Sequence, residues 1–128
     1  MGWHETALAG AGILGIVVAV IHGVLTERLM AAPFRARAQP PLSAVIRRIA
    51  PLLLQFSTFN WVVGGLVLVA AALWFGLEAK RVAGLLVGSS YLFGAVGNLW
   101  ATRGRHPGWV LYAVALVLIV YGVAGTDA

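Results

Sequence analysis

The sequence predicts an all-α integral membrane protein: a single domain forming a four-helix bundle that runs up-down-up-down. Four long apolar runs lie near 7–25, 52–76, 82–101 and 108–124, and about 20 apolar residues span the hydrocarbon core of a bilayer as a helix. Hydrophobic residues make up 61% of the chain and charged residues 10%, whereas soluble domains average roughly 45–50% and about 25%. A soluble chain this short would leave much of that apolar surface in water.

The first apolar run is predicted to be a retained helix rather than a signal peptide. Residues 1–5 contain no Lys or Arg, and a polar connection follows the run where a secreted domain would otherwise begin. Ala11, Gly15, Ala19 and Gly23 place a small residue at every fourth position. Such stripes let helix backbones approach closely in lipid, so we expect a close contact along this face.

The long connection at 26–51 is predicted to lie in the cytoplasm. Pro33, Pro40 and Pro41 oppose a continuous helix through it, and residues 42–49 are expected to form a short helix on the membrane surface. Pro51 suits the first turn of the second span.

The third and fourth spans are joined to their neighbours by short turns. Residues 76–81 form the turn before the third span, and residues 102–107 the turn before the fourth, which Pro107 begins. One face of the third span is expected to pack against other helices, because its small and polar residues alternate at spacings of four and three: Gly84, Gly88, Tyr91, Ala95, Asn98 and Thr102.

The basic residues indicate the orientation. The first and third connections hold Arg28, Arg35, Arg37, Arg47, Arg48, Arg103 and Arg105, whereas the second holds only Lys80 and Arg81. The positive-inside rule therefore places the first and third connections in the cytoplasm and both termini in the periplasm. Because the arginines lie at the ends of spans, we expect them to contact anionic lipid headgroups and not nucleic acid.

Polar side chains are predicted to gather at the cytoplasmic end of the bundle, as a ligand-binding or polar cluster made of His22, Glu27, Arg28, Gln55, Thr58, Asn60, Trp61, Asn98 and His106. His22 lies within a span, where an ionisable residue is a functional candidate. Two interpretations stay open: a neutral imidazole that bonds neighbouring helices, or a group that titrates or binds a metal or haem iron.

Catalysis and resident cofactors are not expected. The spans contain no Asp, Glu, Lys or Arg, and no nucleophile motif or Gly-rich phosphate loop occurs. The chain has no cysteine, which excludes disulfides and Cys-ligated metals. His22, His106 and Glu27 come from separate segments without metal-site spacing, so no metal is assigned.

Three segments carry a resemblance: residues 21–29 (IHGVLTERL), residues 54–61 (LQFSTFNW) and residues 103–109 (RGRHPGW). Together they resemble a family of small, uncharacterised bacterial inner-membrane proteins with four transmembrane helices. That family has an I-H-x-x-x-x-E-R element, a W-H-x-x-S/T-x-x-W element and an R-H-P-G-W-like element. This chain keeps Thr58 and Trp61 but lacks the Trp-His pair. The resemblance implies a bacterial inner-membrane location and no particular activity.

The function predicted from the sequence is that of a non-enzymatic inner-membrane protein. It would act as an accessory subunit or as a binder of lipid or another small hydrophobic ligand, through the polar cluster. One alternative is a small oligomeric transporter or channel with His22 as the titrating residue, and another is a haem- or metal-binding membrane protein. A homo-oligomer or a larger membrane complex is the expected assembly.

Overall fold

The structure, a computed structural model, describes residues 1–36 and 43–125. Those residues form helices joined by short turns, with no strand among them. The helices are α1 (Trp3–Thr26), α2 (Ala32–Ala36), α3 (Ala44–Trp74), α4 (Leu77–Thr102) and α5 (Gly108–Val123), and a π-helical turn at Glu27–Ala31 joins α1 to α2. The predicted all-α class with four long helices is confirmed.

The connection predicted at 26–51 is more helical than expected. It contains the π-helical turn, α2 and the first turns of α3, whereas Pro40 and Pro41 lie outside the described residues. The short run of α2 passes through Pro33, which lies at its second position. Pro33 lies inside one continuous helical stretch from Trp3 to Ala36, directly after the π-helical turn. There the Ala32 N–H donates to the Glu27 carbonyl oxygen, five residues back, so the regular α-helical bonding is already altered next to the proline.

The second long helix, α3, begins earlier along the chain than the position of Pro51 suggested. α3 begins at Ala44 instead of Pro51, and residues 44–50 continue into it without forming a separate surface helix. Ser43 caps the helix, because its Oγ accepts a hydrogen bond from the Ile46 N–H at 3.3 Å. Pro51 removes one backbone hydrogen bond inside the helix. The turns of α3 before Pro51 form backbone hydrogen bonds of their own and are capped by Ser43, so the helix continues past the proline.

One end of the bundle joins the start of α1 to the start of α4 and the end of α5. Lys80 Nζ donates to Glu5 Oε1 at 3.1 Å. The ring of His4 stacks on Tyr121 with centroids 4.6 Å apart, and its Nδ1 lies 2.7 Å from the Tyr121 carbonyl oxygen. These polar contacts therefore tie three helices together at that end.

The backbones of α1 and α3 pack directly on each other at Gly12 and Gly65. A Cβ added at Gly12 would lie 2.5 Å from the Gly65 carbonyl oxygen, and one at Gly65 would lie 2.6 Å from the Gly12 carbonyl oxygen. The two backbones therefore touch without intervening side chains. The predicted stripe of small residues on α1 is buried throughout, and its Gly15 packs against the ring of Tyr91. The backbone contact with α3, however, uses Gly12, which the stripe did not include.

The predicted face of α4 also packs inward. Gly84, Gly88, Tyr91 and Ala95 are buried. A Cβ at Gly84 would lie 2.6 Å from Val123 of α5, so this pair of helices also approaches closely. Tyr91 is fully buried at the centre of the bundle, and its hydroxyl donates to the Trp61 carbonyl oxygen at 3.4 Å.

The outer surface of the bundle is apolar. Large hydrophobic side chains are exposed along every long helix. By length and composition, three helical stretches of the described chain could cross a membrane: Trp3–Ala36, Ala44–Trp74 and Leu77–Thr102. α5 is equally apolar but has 16 residues, or about 24 Å, less than the roughly 30 Å of a hydrocarbon core.

Candidate functional site: a cavity between α1, α4 and α5

A cavity of about 400 Å³ lies at the end of the bundle opposite the Glu5–Lys80 pair. It is bounded by the last turns of α1, the end of α4 and the first turns of α5. Most of its lining is apolar, contributed by Val18, Ile21, Leu25, Leu29, Met30, Trp61, Pro107, Gly108 and Leu111; the polar lining residues are His22, Thr26, Asn98, Thr102, His106 and Tyr112. An apolar pocket with a few polar groups is the usual form of a small-molecule site.

His22 is half-buried on the wall of the cavity and contacts both α1 and α3. Its Nε2 lies 3.2 Å from Thr26 Oγ1, one turn further along α1, and 3.4 Å from Ser57 Oγ on α3. Its ring meets the edge of Trp61 with centroids 4.9 Å apart. The imidazole of His22 thus lies between α1 and α3, within reach of the Ser57 hydroxyl.

Trp61 begins a row of aromatic side chains that runs from the cavity wall into the core. Its ring lies 4.8 Å from that of Tyr112, and Tyr112 lies 5.1 Å from Tyr91. The Trp61 Nε1–H donates to Ser90 Oγ at 3.1 Å, which fixes the indole. Because these rings are held on several sides, the deep wall of the cavity is preorganised.

Two polar atoms in the lining are buried without a hydrogen-bond partner among the described residues: Asn98 Oδ1 and Tyr112 Oη. Tyr112 is only 3% exposed. Buried polar groups are nearly always paired, and leaving one unpaired costs about 1–3 kcal/mol. Both residues border the cavity, but the two atoms themselves are covered, so a ligand would reach them only after a side chain turns toward the cavity.

The turn between α4 and α5 closes one side of the cavity. Arg103 (φ 51°) and Gly104 (φ 76°) both adopt left-handed conformations, which end α4 abruptly. The Trp109 Nε1–H donates to the Gly104 carbonyl oxygen at 3.3 Å. His106 Nδ1 accepts a hydrogen bond from the Gly108 N–H at 3.1 Å. His106 is exposed and also lines the cavity.

Three other predicted residues lie where α1 meets α3, beside the cavity. Gln55 Nε2 donates to the Gly23 carbonyl oxygen at 3.0 Å and lies 3.5 Å from Glu27 Oε2. Glu27 also forms an ion pair with Arg35. Thr58 packs on Gly23, and its Oγ1 is buried without a partner in the described part of the chain. The contacts of Gln55 and Thr58 with Gly23 thus hold the end of α1 against α3.

The remaining two predicted residues do not join the cluster. Asn60 faces away from the cavity, because its Nδ2 donates to Ser90 Oγ at 3.0 Å across the groove between α3 and α4. Arg28 is exposed. The prediction that all nine residues gather was therefore wrong for these two, because Asn60 lines the groove between α3 and α4 and Arg28 lies on the surface.

Sequence reasoning overlooked Tyr112, Thr26 and Thr102 as cavity residues. Thr26 lies four residues after His22, a spacing that places two side chains on one helix face. Tyr112 lies one turn into α5, and no spacing in the sequence connects it to His22 or Asn98. Within residues 1–36 and 43–125, no three His, Asp or Glu side chains cluster as a metal site requires.

Comparison with known proteins adds no relative, because the chain matches no family model, no curated protein and no solved structure. The site is therefore interpreted from its own geometry. Its side chains can donate and accept hydrogen bonds beside an apolar surface.

Proposed function

We propose that this protein is an integral membrane protein that binds a small, uncharged amphipathic molecule in the cavity. The observation that carries the proposal is a pair of buried polar atoms without a partner among the described residues, Asn98 Oδ1 and Tyr112 Oη, whose side chains border a mostly apolar cavity. A carboxamide and a phenol each donate and accept. A hydroxyl group on the ligand would satisfy either of them once its side chain turns toward the cavity.

The absence of charge in the proposed ligand follows from the lining. None of the cavity's lining residues is Asp, Glu, Lys or Arg. A charged group placed there would lose its hydration without gaining a counter-ion, which is costly. The volume of about 400 Å³ falls within the range of about 300–1,000 Å³ typical of small-molecule pockets.

The membrane setting is part of the same proposal. We place the protein in a bacterial inner membrane as an up-down-up-down bundle, with both termini periplasmic and the cavity at the cytoplasmic end. The excess of arginines in the first and third connections supports this orientation. Exposed Ile21 and Leu29 border the cavity, so a ligand would enter from the lipid.

The binding test compares three probes with the same alkyl chain: octanol, octanoate and octane. Purified protein in detergent is unfolded thermally with each probe, because a ligand that binds the folded state raises the unfolding temperature. We expect octanol to stabilise the protein most. In the double variant Asn98→Leu/Tyr112→Phe, the affinity for octanol should fall by about tenfold and become equal to the affinity for octane.

The matched control is Tyr121→Phe, which removes the same atom from a tyrosine at the opposite end of the bundle. It should keep the preference for octanol. Equal effects of octanol and octane on the wild-type protein would refute the proposal, since the two polar atoms would then not select the ligand. A preference for octanoate would refute the uncharged ligand.

Transport is the second candidate, because His22 and His106 both line the cavity and histidines inside membrane proteins commonly take part in proton relays. Proteoliposomes loaded with a pH indicator would report proton flux. A proton flux that requires the protein and disappears in His22→Gln would refute the binding proposal and show that the protein is a carrier.

A further inference from the structure

A second concave surface lies apart from the cavity, between the end of α2 and the first turns of α3. It encloses about 530 Å³ and is lined by Arg35, Arg47 and Arg48 together with Ala36, Ala44, Pro51 and Leu52. Three guanidinium groups thus surround a space with an apolar floor. We propose that this surface, the arginine pocket, binds the phosphate of an anionic phospholipid.

The charge around the arginine pocket is unbalanced. The chain has four acidic residues, and none of them lines the pocket. Glu27 pairs with Arg35, whereas Glu5 pairs with Lys80 at the other end of the bundle. Among the described residues, Arg47 and Arg48 form no ion pair. An anion is therefore the ligand that this pocket favours.

The position of the pocket along α3 matches the level of lipid headgroups. Trp74, the exposed aromatic at the far end of α3, is taken as one edge of the hydrocarbon core. At 1.5 Å per residue, Leu52 then lies about 33 Å and Arg48 about 39 Å from it. A bilayer has a hydrocarbon core of about 30 Å and a total thickness of about 40–45 Å. Leu52 thus lies near the edge of the core and Arg48 among the headgroups.

The surface below the arginines suits acyl chains. Leu52 is 71% exposed, and Phe56, one turn deeper, is 64% exposed. A phospholipid could place its phosphate on the guanidinium groups, which bind phosphate oxygens in a bidentate manner, and its chains along this apolar strip. Free phosphate would use only the first of these contacts, which favours a lipid as the occupant.

The inference depends on the proposed membrane placement, which is tested first by co-flotation of the protein with phosphatidylcholine vesicles. Protein that fails to float would refute the placement. For protein that does float, native mass spectrometry after titration with phosphatidylglycerol or phosphatidylcholine measures the selectivity for the anionic headgroup. We expect the wild-type protein to retain phosphatidylglycerol preferentially.

The discriminating variants carry equal changes of charge. Arg47→Gln/Arg48→Gln should weaken retention of phosphatidylglycerol by about tenfold, whereas Arg103→Gln/Arg105→Gln, at the same end of the bundle, should change it by about twofold or less. Circular dichroism confirms that both variants remain helical. If both variants lose retention of phosphatidylglycerol equally, the lipid is held by general charge attraction and not by a specific site. If inorganic phosphate at equal concentration displaces the lipid, the pocket is a site for free anions. Either result overturns the proposal.

Discussion

α1 borders two regions that differ in packing. Near Gly12 its backbone touches that of α3 at Gly65, whereas near His22 it lines a cavity of about 400 Å³. Small residues occur on α1 in both regions, so small residues on one helix do not by themselves decide whether two helices pack closely. At the first region another glycine faces α1. At the second, the shorter helix α5 begins at Gly108, and its first turns frame the space.

The close contact is the more sensitive region, and Gly12→Ala tests it with the largest expected effect. The added Cβ would lie 2.5 Å from the Gly65 carbonyl oxygen and 2.9 Å from Val69 Cγ2. Because backbone cannot give way as a flexible side chain does, we expect a loss of about 2–3 kcal/mol in the free energy of unfolding. Denaturant unfolding followed by circular dichroism measures it.

Gly97→Ala is the matched control for that substitution, because a Cβ at Gly97 would meet nothing within 4 Å. Alanine favours helix over glycine by up to about 1 kcal/mol, so this variant should be as stable as the wild type or more so. Similar losses in both variants would mean that the contact at Gly12 does not limit the packing of α1 on α3.

On the cavity side, His22→Ala should have an intermediate effect. It removes the contacts of the imidazole with Ser57, Thr26 and the Trp61 ring, for which we expect a loss of about 1–2 kcal/mol. His22→Gln keeps a hydrogen-bonding group and should recover about half of it. Thermal unfolding compares the variants, and glutamine being no better than alanine would contradict a hydrogen-bonding role.

Tyr112→Phe should produce the smallest change, and with the opposite sign. The Tyr112 hydroxyl is buried without a partner in the described structure, so its removal should stabilise the unliganded protein by about 1 kcal/mol. Tyr121→Phe, at an exposed tyrosine, should be neutral. A loss of stability in Tyr112→Phe would show that the hydroxyl already has a hydrogen-bond partner. The main argument for a binding site in the cavity would then be refuted.

The pattern of apolar and small residues predicted which faces are buried but not what they meet. The seam on α4 from Gly84 to Ala95 is buried as the spacing indicated, because helical period alone sets the direction of each side chain. Asn60 shows the limit of this reasoning. Its depth along α3 was readable from the sequence, yet its partner Ser90 lies on another helix, and no local pattern encodes that pairing.

The sequence by itself determined an all-α chain with four long apolar helices and polar residues towards one end, because hydrophobic length and helical period are local properties. It also indicated that His22, Asn98 and His106 belong to the same region. Only the tertiary structure decided that α3 continues past Pro51 and that Gly12 faces Gly65. It also decided that Tyr112 Oη and Asn98 Oδ1, beside one cavity, have no hydrogen-bond partner among the described residues. Each of these depends on how helices distant in sequence pack together, which the local pattern does not contain.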